Sequence, residues 1–300
     1  MFRNAYVLLL LTTLFWAGNV IAGKLAVGHV SPMALTTLRW GLATLVMLAI
    51  GLPRLREDWP VVRRNLPLLA ALGAIGFTVF NALQYSALLF TTAINTSIEQ
   101  AAMPMLVFVA NFLVYRVGVA PGQVVGFTLS LLGVALTAAH GDPTRLAALD
   151  LNRGDALMLV AIVIYAGYTV ALRARPAIHW QSLMIALCGS AFVVSLPLLL
   201  WEGLSGRMIA PDARGWAIAA FTALFPSVVA QAFYIRGIEL IGANRAGLFA
   251  NMVPIFGTLL SILILGEAFR FYHAAAMVLV FGGIWLAERS GRRRAAARED

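Results

Sequence analysis

The side chains in this sequence that could do chemistry are mostly uncharged, and they lie inside long apolar stretches. Phe77, Asn81, Gln84 and Tyr85 are spaced i, i+4, i+7 and i+8, so they share one face of a helix. A later stretch repeats the pattern with Ser227, Gln231 and Tyr234. Amides and hydroxyls orient a polar head group, and aromatic rings bind flat apolar groups. These residue types predict binding of an amphipathic small molecule.

Other apolar stretches carry residues of the same types. A polar side chain in hydrocarbon is costly, so it normally faces the interior of a helix bundle. We therefore expect the first, third, fourth, sixth, eighth and ninth stretches to line a central cavity, with the other four as lipid-facing scaffold. The predicted substrate-binding residues are Trp16, Asn19, Phe77, Asn81, Gln84, Tyr85, Glu99, Gln100, Met103, Tyr165, Tyr168, Gln231 and Tyr234.

Charged residues within these stretches have two interpretations each. Glu99, about two turns inside the fourth stretch, is either a carboxylate that binds a proton or an ammonium group, or a structural partner of a nearby cation or amide. Basic side chains are expected mainly to extend to the membrane interface or to pair with a neighbour. They are Lys24, Arg39, Arg173 and Arg236. Glu267 is interpreted as an interfacial structural acid, and Glu202 as a charge at a loop edge.

The sequence gives no indication of a metal site, a cofactor or a catalytic centre. Its four histidines lack metal-ligand spacing, and the single Cys188 excludes disulfide frameworks and cysteine-rich metal sites. The phosphate-loop, nucleophile-elbow and zinc-protease motifs do not occur. The net charge of +9 would suggest nucleic acid in a soluble protein. Here the basic residues lie mostly between apolar runs, so no nucleic-acid partner is expected.

The composition explains why the apolar stretches must be membrane spans. The 300 residues are 61% apolar and 12% charged, and the mean hydropathy is +0.87. A soluble domain is nearer half apolar and a quarter charged. A span needs about 20 mainly apolar residues. The predicted fold class is therefore an all-α integral membrane protein with ten transmembrane helices, at 4–25, 32–52, 66–90, 93–115, 121–139, 154–174, 182–201, 214–237, 243–265 and 271–288.

The distribution of lysine and arginine predicts the orientation. With the N-terminus in the cytoplasm, fifteen of these residues lie inside and six outside, and Arg39 lies within a span. Cytoplasmic loops carry the excess of positive charge, so both termini are expected in the cytoplasm. Residues 289–300 form a basic cytoplasmic tail in this prediction.

A weak internal repeat relates the two halves at an offset of 149–150 residues. Phe15 to Asn19 align with Ile164 to Tyr168, and Met103-Pro104 with Val253-Pro254. The predicted units are residues 1–140 and 154–288, with five spans each. Because five is odd, the second unit enters the membrane inverted, a symmetry typical of alternating-access carriers. Pro104 and Pro254 are the predicted hinges, since proline frees a carbonyl and permits a kink. Static kinks are the alternative.

On these features the sequence resembles the drug/metabolite transporter superfamily, EamA type. The resemblance rests on the Phe-Trp-Ala-Gly-Asn run at 15–19, on Pro254 followed by Gly266-Glu267, and on Gly282-Gly283-Ile284. Arg116-Val117 departs from the Gly-Glu pattern in the first half. Within the family the chain looks most like the YddG-type exporters of aromatic amino acids. The resemblance implies an inner-membrane exporter with a basket-like arrangement of ten helices.

The leading hypothesis is a carrier that exports aromatic, and in its wider form other large neutral, amino acids by alternating access. Its partners would be a small-molecule substrate, the lipid bilayer and, as a candidate coupling ion, the proton. The alternative is efflux of a cationic aromatic drug, with Glu99 and aromatic rings around the cation, or of another small metabolite. An intramembrane enzyme and a receptor that does not transport are the rivals from other classes.

Overall fold

A computed structural model describes residues 4–116, 120–142, 144 and 152–296. This part of the chain is built from helices, which confirms the predicted all-α membrane class. The ten spans are α1 (Ala5–Leu25), α2 (Pro32–Arg64), α3 (Leu66–Ala87), α4 (Ala93–Tyr115), α5 (Pro121–Ala138), α6 (Arg153–Ala174), α7 (Trp180–Leu204), α8 (Ala213–Ile241), α9 (Arg245–Leu265) and α10 (Phe271–Ala296).

Nine of these helices are long and apolar enough to cross a membrane, and the apolar part of α10 is shorter, at Phe271–Ala287. The helix α2 continues to Arg64, well past the predicted end of its span at residue 52. The predicted tail begins as a continuation of α10, and residues 297–300 lie outside the described part. The predicted division between the two units also falls partly on residues outside it, at 143 and 145–151.

Contacts between the connecting segments give the bundle two distinct ends. The Lys24 end, as we call it, contains the segments 26–31, 88–92, 139–142, 205–212 and 266–270. The amide N–H of Ser31 donates to the Ile209 carbonyl at 3.1 Å, and Nδ2 of Asn152 donates to the Phe90 carbonyl at 2.8 Å. The opposite end, the termini end, contains the start of α1 and the end of α10. Successive helices therefore alternate in direction.

The helices divide into two inner groups and two scaffold pairs. In one group α1 packs on α8 and α9, and in the other α6 packs on α3 and α4. The scaffold pairs are α2 with α7 and α5 with α10. Gly126 and Gly283 face each other where α5 and α10 meet, and a β-carbon at either would overlap the opposite backbone carbonyl. This close approach fits the small, apolar composition of α5 and α10.

Several inner helices are irregular at matching places. The helix α3 has a π-helical stretch at Ala74–Val79 and α8 has one at Phe225–Val229. The α-helical part of α4 stops at Gln100 and resumes at Met103, so Pro104 sits in a first helical turn, where its missing N–H costs little. Pro254 begins the corresponding stretch of α9 after a 3₁₀ turn. Both prolines thus lie at helix breaks, and hinging there stays a prediction.

Candidate functional site

The centre of the bundle is organised around Arg39, whose side chain projects from α2 and is only 5% exposed. Its Nη1 lies 2.7 Å from three oxygens. They belong to Asn19 of α1 and to Asn81 and Tyr85 of α3. Its Nε donates to the hydroxyl of Ser227, on the π-helical stretch of α8, at 2.8 Å. One guanidinium therefore ties together four spans from both halves of the chain.

This position corrects the sequence analysis, which expected Arg39 to extend to the interface or pair with a neighbour and counted α2 as lipid-facing scaffold. Arg39 lies about two turns inside its helix, where the start of α2 packs against α7. The signal was present in the sequence, because a lone arginine within an otherwise apolar span normally faces a polar interior. Its acceptors could not be identified, since they lie 20 to 188 residues away.

The amides around Arg39 are linked to one another. The Tyr85 hydroxyl donates to Oδ1 of Asn19 at 2.8 Å, and Nδ2 of Asn19 donates to Oε1 of Gln84 at 3.4 Å. Nδ2 of Asn81 donates to the Phe77 carbonyl at 2.7 Å. Four predicted residues are thus buried in one network, and all of them are neutral. The one positive charge of this network is the Arg39 guanidinium. It lies in a low-dielectric interior, where it would attract an anionic ligand strongly.

Aromatic rings cover one side of the guanidinium. Cζ of Arg39 lies 4.7 Å from the centre of the Trp40 ring, a cation–π contact. The Phe77 ring stacks on Trp40 at 4.4 Å and lies 6.1 Å from the ring of Tyr168. Tyr168 and Tyr165 are neighbours on α6, with ring centres 5.2 Å apart. Phe77 is accordingly a core residue between α2, α3 and α6 as well as a neighbour of the charge.

A second aromatic group lies close to the first. The rings of Trp16 on α1 and Tyr234 on α8 are 5.2 Å apart. The same two helices carry Asn19 and Ser227, which bond to Arg39, so this aromatic pair lies on spans that meet at the same cation. Trp16, Tyr165 and Tyr234 are half-buried, as a surface that meets a ligand would be.

The remaining predicted residues lie at different depths. Met103 is half-buried against the apolar cluster of α3, α6 and α10, beside Tyr165. Gln231 on α8 is half-buried. Gln100 donates to the carbonyl of Thr96 in its own helix at 3.3 Å. Glu99 is fully buried in the first part of α4, and among the described residues it makes no hydrogen bond to the Arg39 network.

The Lys24 end of the bundle is closed by two charged clamps on the α3–α4 connection. The ammonium of Lys24, on α1, donates to the carbonyls of Leu88 and Thr91 at 2.9 and 2.7 Å. The Glu267 carboxylate, just after α9, accepts from the amides of Ala93 and Ile94 at 2.8 and 2.9 Å. The cation thus caps the negative end of α3 and the anion the positive end of α4. The structural interpretation of Glu267 agrees with this contact.

The two ends differ in packing. In α4, seven of the eight residues in Ala93–Gln100 are buried, whereas Met105 is the one buried residue of Met103–Tyr115. The space beside Tyr85 at the Lys24 end is about 10 Å³, too little for a ligand. At the termini end an open depression of about 430 Å³ borders Thr169, Leu172 and Arg173. The Lys24 end is therefore the more tightly packed of the two ends along α4.

Glu202 is another acid whose environment differs from expectation. It was interpreted as a loop-edge charge, but it is buried at the end of α7. It accepts from the Ser31 hydroxyl at 2.5 Å and from the amides of Met33 and Ala34 at 3.2 Å. Glu202 therefore caps the start of α2 and joins α7 to α2, which are both scaffold helices. Glu267 caps the start of α4 in the same way, but it joins one inner group to the other.

Comparison with known proteins gives a consistent result. A model of the EamA-like transporter family matches residues 3–139 and again residues 152–288. The chain is 28% identical to the uncharacterized transporter YyaM of Bacillus subtilis over 286 residues, which cover 94% of this chain and 92% of that one. It is 24% identical to the uncharacterized inner membrane transporter YicL of Salmonella typhimurium, with 98% of each chain covered. A solved crystal structure shares the fold, with a TM-score of 0.64, 22% identity and coverage of 96% of this chain and 98% of that one.

Proposed function

The chain belongs to the EamA-like transporter family, and on this premise we propose that it exports aromatic and other large neutral amino acids across the inner membrane by alternating access. Multi-pass membrane transport is common to the relatives, whereas this cargo and direction are our proposal. The single observation that carries the cargo is Arg39, a buried cation among neutral amides and beside a set of aromatic rings.

The chemistry of an amino acid matches this arrangement part by part. Its carboxylate needs a cationic partner, and guanidinium binds carboxylate with two parallel hydrogen bonds. Its ammonium needs acceptor oxygens, which the amides of Asn19, Asn81 and Gln84 supply. Its flat side chain needs an aromatic surface, which Trp16 and Tyr234 supply. A bound carboxylate would replace some of the oxygens that surround Arg39.

The position of the charge argues against the alternative cargo. A cationic drug would be repelled by Arg39 in a medium of low dielectric constant. Glu99, which was to bind such a cation, is fully buried in the first part of α4 and, among the described residues, makes no hydrogen bond to the Arg39 network. A carboxylate with an aromatic body and no ammonium group is the better second candidate, because the groups bonded to Arg39 include no acid in the described residues.

The orientation belongs to the same proposal. With both termini in the cytoplasm, as the lysine and arginine count predicts, the Lys24 end faces outward. The conformation described above would then be inward-facing, the state that loads an exported cargo. Pro104 and Pro254 would be the hinges of the change to the outward-facing state.

The test is uptake of radiolabelled phenylalanine into vesicles that contain the purified protein. We expect saturable flux that unlabelled tryptophan and 3-phenylpropanoate suppress and that phenethylamine, which lacks the carboxylate, leaves unchanged. The variant Arg39→Gln should lose the flux, while Arg236→Gln, on the surface, should retain it. Suppression by phenethylamine with no effect of 3-phenylpropanoate would refute the assignment of Arg39 to a carboxylate. Suppression by 3-phenylpropanoate without phenylalanine flux would favour the second candidate.

A further inference from the structure

A polar cluster that the proposed cargo site does not use lies at the Lys24 end, among α4, α5, α6 and α10. Its buried acid is Asp155, in the first turn of α6. The Thr91 hydroxyl donates to Oδ1 of Asp155. Among the described residues Oδ2 has no hydrogen-bond partner, and it lies 3.8 Å from Nδ1 of His140, which is 3.3 Å from the Ala138 carbonyl. One oxygen of this carboxylate therefore lies beside an imidazole.

Asn95, on the first turn of α4, fixes the protons on both histidines of the cluster. His273 accepts from the Arg270 amide at Nδ1, 2.9 Å away, so its Nε2 carries the proton and donates to Oδ1 of Asn95 at 3.1 Å. Nδ2 of Asn95 donates to Nε2 of His140 at 3.4 Å. Nδ1 of His140 then carries its proton, on the side of Asp155. These tautomers follow from the hydrogen-bond network.

Glu99 lies one turn further along α4, on the same face as Asn95. It is fully buried, and among the described residues neither of its carboxylate oxygens has a hydrogen-bond partner. Asn95, one turn away, donates to the Thr91 hydroxyl, which in turn donates to Asp155, so Asp155 lies beside this face of α4. An ionised carboxylate without donors is costly in a protein interior, and a second negative charge nearby adds to the cost. An acid in such a place is accommodated when it carries a proton and is neutral.

We propose that Glu99 and Asp155 form a proton-binding site that is loaded from the Lys24 end through His140. The side chain of His140 is 30% exposed, whereas the two acids are buried, so the imidazole is the element that meets water. It passes the Nδ1 proton to Oδ2 of Asp155 and takes another at Nε2 from a hydronium ion, once the Asn95 amide that donates to Nε2 turns away. Asp155 in turn passes its proton to Glu99. Each step moves one proton between a base and an acid, so charge and atoms balance.

The other groups that face the cluster come from every packed element. His273, Tyr272 and Arg270 lie on or just before α10, and Thr91 on the α3–α4 connection. The Tyr272 ring centre is 6.3 Å from that of His140 and 4.1 Å from that of His273. Asp142, two residues after His140, bonds with Thr144. The cationic group among these is Arg270, and the acids facing each other in the interior are Glu99 and Asp155.

The internal repeat does not place a second pair of acids at the termini end of the bundle. At the offsets of 150 and 149, Glu99 corresponds to Phe249 and Asp155 to Tyr6. Phe249 and Tyr6 are in contact at the termini end, with ring centres 6.0 Å apart. The same pair of helix positions is thus ionisable at one end and aromatic at the other. Proton exchange is therefore confined to the Lys24 end, which gives the coupling a direction.

The binding of the proton can be tested without any cargo. Infrared difference spectra of the purified, reconstituted protein, taken between about pH 5 and about pH 8, should show the carbonyl band of one buried carboxylic acid. Glu99→Gln should remove that band. The matched control Glu239→Gln should keep it, because Glu239 forms an exposed pair with Arg236 at 2.7 Å. A band of unchanged size in a folded Glu99→Gln variant overturns the proposal.

A second variant tests the route and does not depend on whether Glu99→Gln folds. His140→Gln keeps a polar side chain at a partly exposed position, so we expect the same band at equilibrium. After a pH jump the band should appear more than tenfold more slowly than in the unmodified protein. An equal rate overturns the route through His140.

The link between this proton site and transport rests on the proposed function. Its failure can be distinguished from a failure of the proton site. Phenylalanine flux should respond to a pH gradient, and Glu99→Gln should make it independent of the gradient. If the carbonyl band is present and phenylalanine flux is absent, the proposed cargo is refuted and the proton site stands. Flux without the band would refute the proton site and leave the cargo in place.

Discussion

Replacing Glu267 with alanine should open the Lys24 end of the bundle. Glu267 accepts two amide hydrogen bonds, at 2.8 and 2.9 Å, from the first turn of α4. It belongs to the group of α1, α8 and α9, whereas α4 belongs to the other inner group. Its loss therefore weakens a contact between the two groups and leaves the packing within each group intact.

The size of the effect follows from these two bonds. A hydrogen bond to a charged group contributes about 1.5–3 kcal/mol, and half-burial of Glu267 lets water replace part of it. We expect a shift of about 2–3 kcal/mol in the free-energy difference between the closed and open states. At about 1.4 kcal/mol per factor of ten, the open fraction rises about 30- to 140-fold.

The assay is the labelling rate of a cysteine by a membrane-impermeant maleimide. The reporter is Ala93→Cys, at a buried position in the apolar cluster that α1 shares with α3 and α4. Native Cys188 is buried in the core, so its labelling reports unfolding. Glu267→Ala should increase labelling at position 93 and leave Cys188 protected.

Glu202→Ala is the matched control, because Glu202 makes the same kind of cap between α7 and α2, which are both scaffold helices. It should lower the melting temperature and leave labelling at position 93 unchanged. Equal labelling in both variants, or no increase with Glu267→Ala, would show that the carboxylate does not hold this end closed.

Three further outcomes follow from single contacts. Arg39→Met should destabilise the protein by about 1–3 kcal/mol, seen as a lower denaturation midpoint, because it leaves buried neutral acceptors without their donor; an unchanged midpoint would contradict the network. Gly76→Ala should displace the Tyr168 ring, which a β-carbon would overlap, and raise the KM for an aromatic cargo several-fold; an unaltered KM would remove Tyr168 from the site. The His29 hydrogen bond and charge lower the pKa of Asp212, outside the spans. The pair's contribution to stability is therefore present above the ordinary aspartate pKa and disappears as the pH falls through the lowered value. Acid titration by NMR should show the lowered pKa of Asp212, and His29→Ala should return this pKa towards the ordinary aspartate value.

The membrane class and the ten spans could be predicted because hydropathy depends on composition within short windows. The repeat was visible for a related reason, since aligned glycine, proline and aromatic residues mark equivalent places in the two halves. The polar face of α3 was also predictable from spacing, as Asn81, Gln84 and Tyr85 lie in one network. The π-helical stretches were not, because nothing in local spacing distinguishes them from regular helix.

The role of each charge was decided by the tertiary structure alone. A buried ion is tolerated or not according to its neighbours, and those neighbours are distant in sequence. Arg39 became the centre of the candidate site through Asn19, Asn81 and Ser227, which only packing brings together. Glu99 is not part of that network in the described residues and is buried in the first part of α4. The sequence by itself determined where the chain enters and leaves the membrane, and the packing of the ten helices determined which charges meet.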